Sequence, residues 1–195
     1  RRRVVKGINT APLLSRHDHL AVESAVVLSK VQLESVGTLL PGTLLGKKAD
    51  GLYRPYAESV TTAATDNASA VIELDIASKN FKHFRVGDEV EGVDGSDLGT
   101  ILAIDSVTGN VTLTGNSTTD AYEGAVRVVQ AELSIAKADA RILKDHVEFD
   151  ERIGLDVPAT GYFEGFFNED VTSLTASTIT GLGITRPSAN ELRLK

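Results

Sequence analysis

The sequence predicts a mainly β protein with a short helix or two. Three observations lead to this fold class. Short segments that alternate apolar and polar residues recur from Val71 to Val129, at spacings of about 8–12 residues. Gly, Asn and Asp turn signals separate these segments, as in a small β-barrel or sandwich. Aromatic residues make up only 5% of the chain, so the predicted core consists of Val, Leu, Ile and Ala side chains.

The first third of the chain is predicted to begin with an extended arm and to continue as strands and turns. Residues 1–20 mix Arg, Asn, Pro and His without a sustained period, which is typical of an arm. Residues 21–33 fit a short helix or a strand, and their β-branched side chains favour a strand. Turn signals at 41–42 and 49–51 lie between apolar residues, which indicates a β-meander. The small polar residues 58–69 are predicted to form a loop.

The clearest strands are predicted in the middle of the chain. Each predicted strand is bounded by a turn signal, and the Thr108-Gly109-Asn110 sequence is typical of a hairpin turn. The predicted strands comprise residues 71–76, 84–92, 99–105, 111–114 and 125–129.

The last third has a mixed pattern. Residues 131–143 combine strong helix formers with apolar alternation, so both a helix and a strand stay open there. Asp170 or Thr172 is predicted to cap a short helix that ends near Ile179. The apolar residues within 191–194 predict a last strand.

The composition of the chain argues against several classes of protein. The formal net charge is −7, and an acidic surface disfavours nucleic-acid binding because phosphates need a basic face. The chain has no cysteine, which excludes a disulfide, a thiol nucleophile and a zinc–thiolate site. No run approaches the roughly 18 apolar residues that span a bilayer. Phosphate-binding and dinucleotide motifs are also lacking, so no cofactor, nucleic-acid partner or membrane partner is expected.

Two clusters of polar residues have the side chains that metal or catalytic sites use. The His-Asp-His sequence at 17–19 lacks further ligands and fits a solvated loop. An acidic run lacks both the spacing of an EF-hand loop and the aromatic platforms of glycoside hydrolases, so solvated turns are expected. His83 and His146 are isolated and are expected at the surface or partly buried, so no catalytic residue, metal site or enzyme is predicted. The acidic run consists of Asp88, Glu89, Glu91, Asp94 and Asp97.

Two segments are candidates for binding another protein. Residues 161–167 hold a concentrated aromatic patch, which fits either a corner of the core or an anchor at a subunit interface. The N-terminus is basic, which fits either a solubilising tail or an arm that docks on an acidic partner or adds a strand to its sheet. The candidate partner-binding residues are Arg1, Arg2, Arg3, Val4, Val5, Lys6, Tyr162, Phe163, Phe166 and Phe167.

Two separate stretches of the chain carry a family resemblance. The first is LLPGTLLGK at residues 39–47, followed by GLYRPY at residues 51–56. The second is GFF at residues 165–167, a short Leu/Ala/Thr stretch, GLGI at residues 181–184 and a closing apolar strand. Through both patterns the chain resembles the head decoration (cement) proteins of tailed bacteriophages. The similarity covers residues 35–60 and 125–195.

The resemblance implies a protein that binds the outside of an expanded capsid and clamps neighbouring subunits of the major capsid protein. The expected form is a homotrimer on the capsid exterior of the virion, made in the host cytoplasm, with an N-terminal arm that orders on the capsid. Compact members of the family lack an equivalent of the central strands, so an inserted β-subdomain is expected. The implied division is an arm at 1–20, a discontinuous β base domain at 21–70 and 128–195, and an inserted small β-barrel or sandwich subdomain at 71–127.

Two alternatives from other classes of protein stay open. A β-rich carbohydrate- or cell-surface-binding module fits the fold class, although aromatic side chains are scarce. A hydrolase would use the acidic run and would need a cleft that contains a carboxylate of raised pKa.

Overall fold

The fold of the 195-residue chain is known from a computed structural model. The described residues form fifteen β-strands, a short α-helix and a 3-10 helix at Phe81–His83, so the predicted mainly β fold class is confirmed. Within these residues, no helix has the length and apolar character needed to cross a membrane. The structure describes residues 13, 21–30, 37–64, 69–114, 122–129, 131–148, 156–168, 172–188 and 191–194.

The strands and the helix are named in chain order. They are β1 (Val22–Leu28), β2 (Thr38–Leu39), β3 (Leu44–Lys47), β4 (Tyr53–Pro55), β5 (Glu58–Val60), β6 (Val71–Glu73), β7 (Glu89–Gly92), β8 (Asp97–Ile104), β9 (Asn110–Leu113), β10 (Ala125–Val128), β11 (Arg141–Leu143), β12 (Val147–Glu148), β13 (Val157–Asn168), α1 (Ala176–Gly181), β14 (Thr185–Ser188) and β15 (Glu191–Leu194).

Five strands close into a barrel. They pair in the order β1, β4, β3, β11 and β13, and β13 then pairs with β1 to complete the ring. The 12-residue β13 is long enough to extend beyond the barrel, where its last four residues pair with β15. β14 lies next to β15 at the edge of this extension. β2 and β12 form a separate two-stranded ribbon. The barrel therefore combines strands from two separate parts of the chain, β1, β3 and β4 from the first part and β11 and β13 from the second, so it is discontinuous in sequence.

The intervening strands form a six-stranded sheet in the order β5, β10, β7, β8, β9 and β6. This sheet curls until its first and last strands meet at a bridge between Thr61 and Leu74. The Asp75 N–H donates to the Val60 carbonyl at 2.8 Å beside that bridge. Buried and more exposed residues alternate along β6, β7, β9 and β10, which matches the predicted period of two.

The Asp105–Gly109 turn joins β8 to β9 where the sequence predicts a hairpin. Gly109 has a φ of +82°, and a side chain there would clash with the carbonyl oxygen of Leu74. Only glycine therefore combines this backbone conformation with so close an approach of the neighbouring chain.

The two sheets share most of their core. One cluster joins Leu44 and Tyr162 of the barrel strands to Ile72 and Val90 of the six-stranded sheet. Tyr56, which is fully buried, belongs to the same cluster. A second cluster joins the barrel strands to the β2–β12 ribbon and consists of Val26, Leu28, Leu39, Leu45, Tyr53, Leu143 and Val147.

The prediction of a loop over residues 58–69 is wrong at its start, because Glu58–Val60 forms β5. The six-stranded sheet therefore begins at Glu58 rather than at Val71 and ends at Val128. The polar side chains of Glu58 and Ser59 misled the prediction, since both are buried. Each has an internal hydrogen-bond partner, and that removes the penalty for burying a polar group.

Two open questions in the last third are settled by tertiary contacts. Residues 131–139 form turns, and β11 follows them. Leu133 is buried against Gly46, where a side chain on residue 46 would clash with it. The short helix exists as α1, but its cap is Thr175 rather than Thr172, and Asp170 lies outside the described residues.

Candidate functional site

Three connections between strands meet around a cavity of about 300 Å³, here called the junction cavity. The Gly42 carbonyl accepts a hydrogen bond from the Ser173 N–H at 2.9 Å. The Ser173 Oγ accepts the Leu44 N–H at 2.7 Å, and the Asn80 Nδ2 donates to the Ser173 carbonyl at 2.7 Å. These bonds join the β2–β3 turn, the 3-10 helix and the segment before α1. The lining residues are Leu40, Pro41, Gly42, Thr43, Lys79, Lys82, His83, Thr172 and Ser173.

One of the residues that line this cavity, His83, is a buried titratable group. The side chain is 2% exposed, so the expected surface or partly buried position of His83 is wrong. Burial lowers the pKa of His83 to about 3, and the charges of Lys82, Arg85 and Arg54 add to this effect. The imidazole is therefore neutral at neutral pH, with one N–H donor and one acceptor nitrogen.

A buried ion pair joins the barrel to the six-stranded sheet. Arg54 of β4 donates from Nη1 and Nη2 to the two carboxylate oxygens of Asp88, each at 2.6 Å. The Arg85 N–H also donates to Asp88 at 2.9 Å. Both paired side chains are about 5% exposed. The expectation that the whole acidic run lies in solvated turns is therefore wrong for Asp88, because Arg54 supplies a charge partner for it. It is also wrong for Glu91, which lies in β7 and pairs with Arg127.

A second buried network holds α1 against the six-stranded sheet. Ser177 of α1 donates to the Glu58 carboxylate at 2.6 Å, and the Tyr56 hydroxyl donates to it at 3.2 Å. Burial raises the pKa of Tyr56, so its hydroxyl stays protonated. On the adjacent strand β10, Arg127 lies opposite Glu58 and donates to Glu91 at 2.9 Å. The hydrogen bonds to Glu58 therefore connect α1 to the six-stranded sheet.

An open groove of about 470 Å³, here called the acidic groove, is lined by three carboxylates of the acidic run. Asp97 accepts the Gly99 N–H at 2.9 Å, and Asp94 accepts the Ser96 N–H at 3.0 Å. The hydrogen bond from Ser96 lowers the pKa of Asp94. In the described part of the chain, no group of three or more His, Asp or Glu side chains is arranged to hold a metal ion. The groove is lined by Glu89, Glu91, Gly95, Asp97, Gly99, Thr100, Thr114 and Val129.

The aromatic candidates lie largely inside the protein. Tyr162 is 5% exposed and Phe167 is fully buried, and their rings meet edge to face at 5.7 Å. Phe163 is partly buried, and the Arg141 guanidinium lies 5.2 Å from its ring centre. These contacts favour the core role for this patch. The side chain of Phe166 lies outside the described residues.

The basic N-terminal candidates also lie outside the described residues, which begin at Leu13. Leu13 is partly buried and packs against the main core cluster, so the predicted arm contacts the folded core at this residue. The N-terminal candidates are Arg1, Arg2, Arg3, Val4, Val5 and Lys6.

The junction cavity was not predicted from the sequence. A signal for it exists in residues 79–85, KNFKHFR, where four basic residues surround two phenylalanines. Phe81 and Phe84 anchor this segment in the core, with their rings 6.4 Å apart. The anchored aromatic rings hold the basic side chains close to the body of the protein. The other residues that line the cavity, at 40–43 and 172–173, come from distant parts of the chain, so local spacing does not reveal them.

Comparison of the chain with protein-family models, curated proteins and solved structures finds no match.

Proposed function

We propose that this chain is a structural virion protein that binds the exterior of a tailed-phage capsid and stabilises it by clamping neighbouring subunits of the major capsid protein. The observation that carries the proposal is the contact between the two stretches that resemble decoration proteins. Ser173, near the C-terminal stretch, bonds to Gly42 and Leu44 of the N-terminal stretch. β3, β4, β13 and β15 also belong to one continuous sheet. The resemblance therefore maps onto one folded unit.

The arrangement of the two sheets suits a clamp. The chain leaves the barrel after β4, builds the six-stranded sheet and returns to the barrel at β11. The shared core and the Arg54–Asp88 pair hold the two sheets together. A rigid, preorganised body loses little conformational entropy on binding, which favours tight attachment to a lattice.

The proposed clamp acts as a homotrimer on the capsid surface, and its N-terminal residues Arg1–Lys6 contact the capsid. Three copies of one weak contact reinforce one another when they are linked, so even a modest single contact gives stable attachment. The basic N-terminus would meet an acidic capsid surface or add a strand to a capsid sheet.

The proposal is tested by locating the chain on virions of the phage that encodes it. Cryo-electron microscopy should show density for the barrel and the six-stranded sheet on the outer capsid surface, around local three-fold axes. Purified chain should also bind capsids that lack it and raise the temperature at which they break open. Particles without this density, together with purified chain that does not bind such capsids, would refute the proposal.

The carbohydrate-binding alternative has less support. The acidic groove supplies carboxylates and hydroxyls, but none of its lining residues is aromatic. Sugar sites usually need an aromatic face on which the ring stacks. A glycan array with the intact chain tests this alternative directly.

A further inference from the structure

The lining of the junction cavity combines cationic groups with hydrogen-bond donors. Lys79, Lys82, His83 and Ser173 all line it, and its lining contains no carboxylate. The buried carboxylate of Asp88 already pairs with both terminal nitrogens of Arg54. The positive charge at the cavity is therefore not neutralised by Asp88.

His83 has an unmet hydrogen-bonding requirement at this cavity. Its side chain is 2% exposed, and its Nδ1 is buried without a hydrogen-bond partner among the described residues. A buried polar atom of this kind raises the free energy of the folded state by roughly 1–3 kcal/mol unless a ligand or water satisfies it. The His83 ring lines the cavity, so a ligand held there would lie next to this residue.

Three further groups have donor protons to offer. The Lys79 Nζ donates to the Thr172 carbonyl at 2.9 Å and keeps two other protons. The Ser173 Oγ accepts the Leu44 N–H, so its own proton is left to donate. Lys82 is exposed and forms no ion pair with the described residues. The Thr43 hydroxyl differs from these groups, because it already donates to the Leu40 carbonyl at 2.7 Å.

We propose that the junction cavity is a binding site for a small oxyanion, a phosphate or a carboxylate, held by Lys79, Lys82, His83 and Ser173. The ammonium groups supply charge, and the imidazole and the hydroxyl supply directed hydrogen bonds. Charge-assisted hydrogen bonds of this kind are the strong ones in proteins. The site does not depend on the proposed capsid function, because it lies within a single chain.

The test titrates the intact chain with sodium phosphate at neutral pH and constant ionic strength, followed by amide NMR. Saturable shifts are expected at Lys82, His83 and Ser173. A parallel titration with sodium acetate identifies the source of the oxyanion. Saturation by acetate indicates a carboxylate, such as an acidic side chain of a partner, and saturation by phosphate alone indicates a phosphoryl group.

Two matched variants make the test specific. Lys82→Gln removes one exposed charge from the cavity and should weaken binding about tenfold. Lys137→Gln removes an exposed charge from a turn that does not line the cavity, and it should bind like the wild type. The proposal is overturned if neither anion saturates, or if Lys82→Gln and Lys137→Gln respond equally. Because both lysines are exposed, neither variant should unfold the chain.

Discussion

At the scale of single residues, His83 shows how a fold sets the charge of one side chain. The ring lies in the protein interior, where solvation no longer favours its protonated form. Lys82, Arg85 and Arg54 add repulsion, and together these effects lower the pKa of His83 to about 3. In the unfolded chain, the pKa of His83 has its ordinary value of 6.5.

The burial of His83 should therefore make the folded protein less stable as the pH falls below 6.5. Below pH 6.5 the unfolded chain binds a proton that the folded chain does not, so the contribution is full above pH 6.5 and is lost as the pH falls toward about 3. Between pH 7 and pH 5 we expect this residue to remove about 2 kcal/mol from the free energy of unfolding. Urea denaturation across this range measures it.

His83→Asn should make the free energy of unfolding depend less on pH between pH 7 and pH 5, whatever its effect on stability at pH 7. His146→Asn is the matched control, because it removes a histidine whose side chain is 40% exposed rather than buried. An NMR titration in which the His83 ring protonates near pH 6.5 in the folded protein would contradict the prediction.

At the scale of elements, α1 is too short to be stable alone. A six-residue helix does not recover the cost of nucleation, so it depends on its cap and on tertiary bonds. The Thr175 N–H donates to the Thr178 hydroxyl at 2.8 Å, and the Thr178 N–H donates to the Thr175 hydroxyl at 3.3 Å. Ser177 then fastens the helix to Glu58.

Thr175→Ala should destabilise the protein by about 1 kcal/mol, because the first turn loses its capping box. For a chain of this size the melting temperature should fall by about 2–4 °C, which calorimetry would measure. Thr180→Ala is the control, since Thr180 is exposed and its hydroxyl only donates back to the Ala176 carbonyl. Equal losses for the two variants would show that the capping box does not stabilise α1.

At the scale of the whole molecule, the Arg54–Asp88 pair links the barrel to the six-stranded sheet. Its two hydrogen bonds are short and parallel, and both side chains are shielded from water. Such a pair fixes the relative position of the elements it joins, because any displacement leaves a buried charge without its partner.

Arg54→Met should lower the free energy of unfolding by about 3–5 kcal/mol, because Asp88 would stay buried and unpaired. The double variant Arg54→Met with Asp88→Asn should recover part of this loss, which a double-mutant cycle in urea would measure. Lys48→Gln is the control, since its partner Asp50 lies in an exposed turn and such pairs contribute about 1 kcal/mol or less. A loss below 1 kcal/mol for Arg54→Met would contradict the structural role of the pair.

Several features of the fold could be predicted from local patterns. The alternation in residues 71–76 follows from the geometry of a half-buried strand, and β6 lies there. The turn at Gly109 follows from the freedom of glycine to adopt a positive φ. The short helix was predicted near its observed position, although Thr175 caps it instead of Thr172. Capping depends on which hydroxyl the backbone brings to the first turn, and several threonines compete nearby.

The sequence by itself determined the mainly β class, the turns and the approximate extent of the strands, because these depend on neighbours a few residues apart. Only the tertiary structure decided that β13 closes the barrel with β1, that Glu58 and Asp88 are buried, and that His83 faces a cavity. Each of these features joins residues far apart in the chain. A local pattern carries no information about such a partner, and the partner's charge or hydrogen bond decides whether a polar residue is buried.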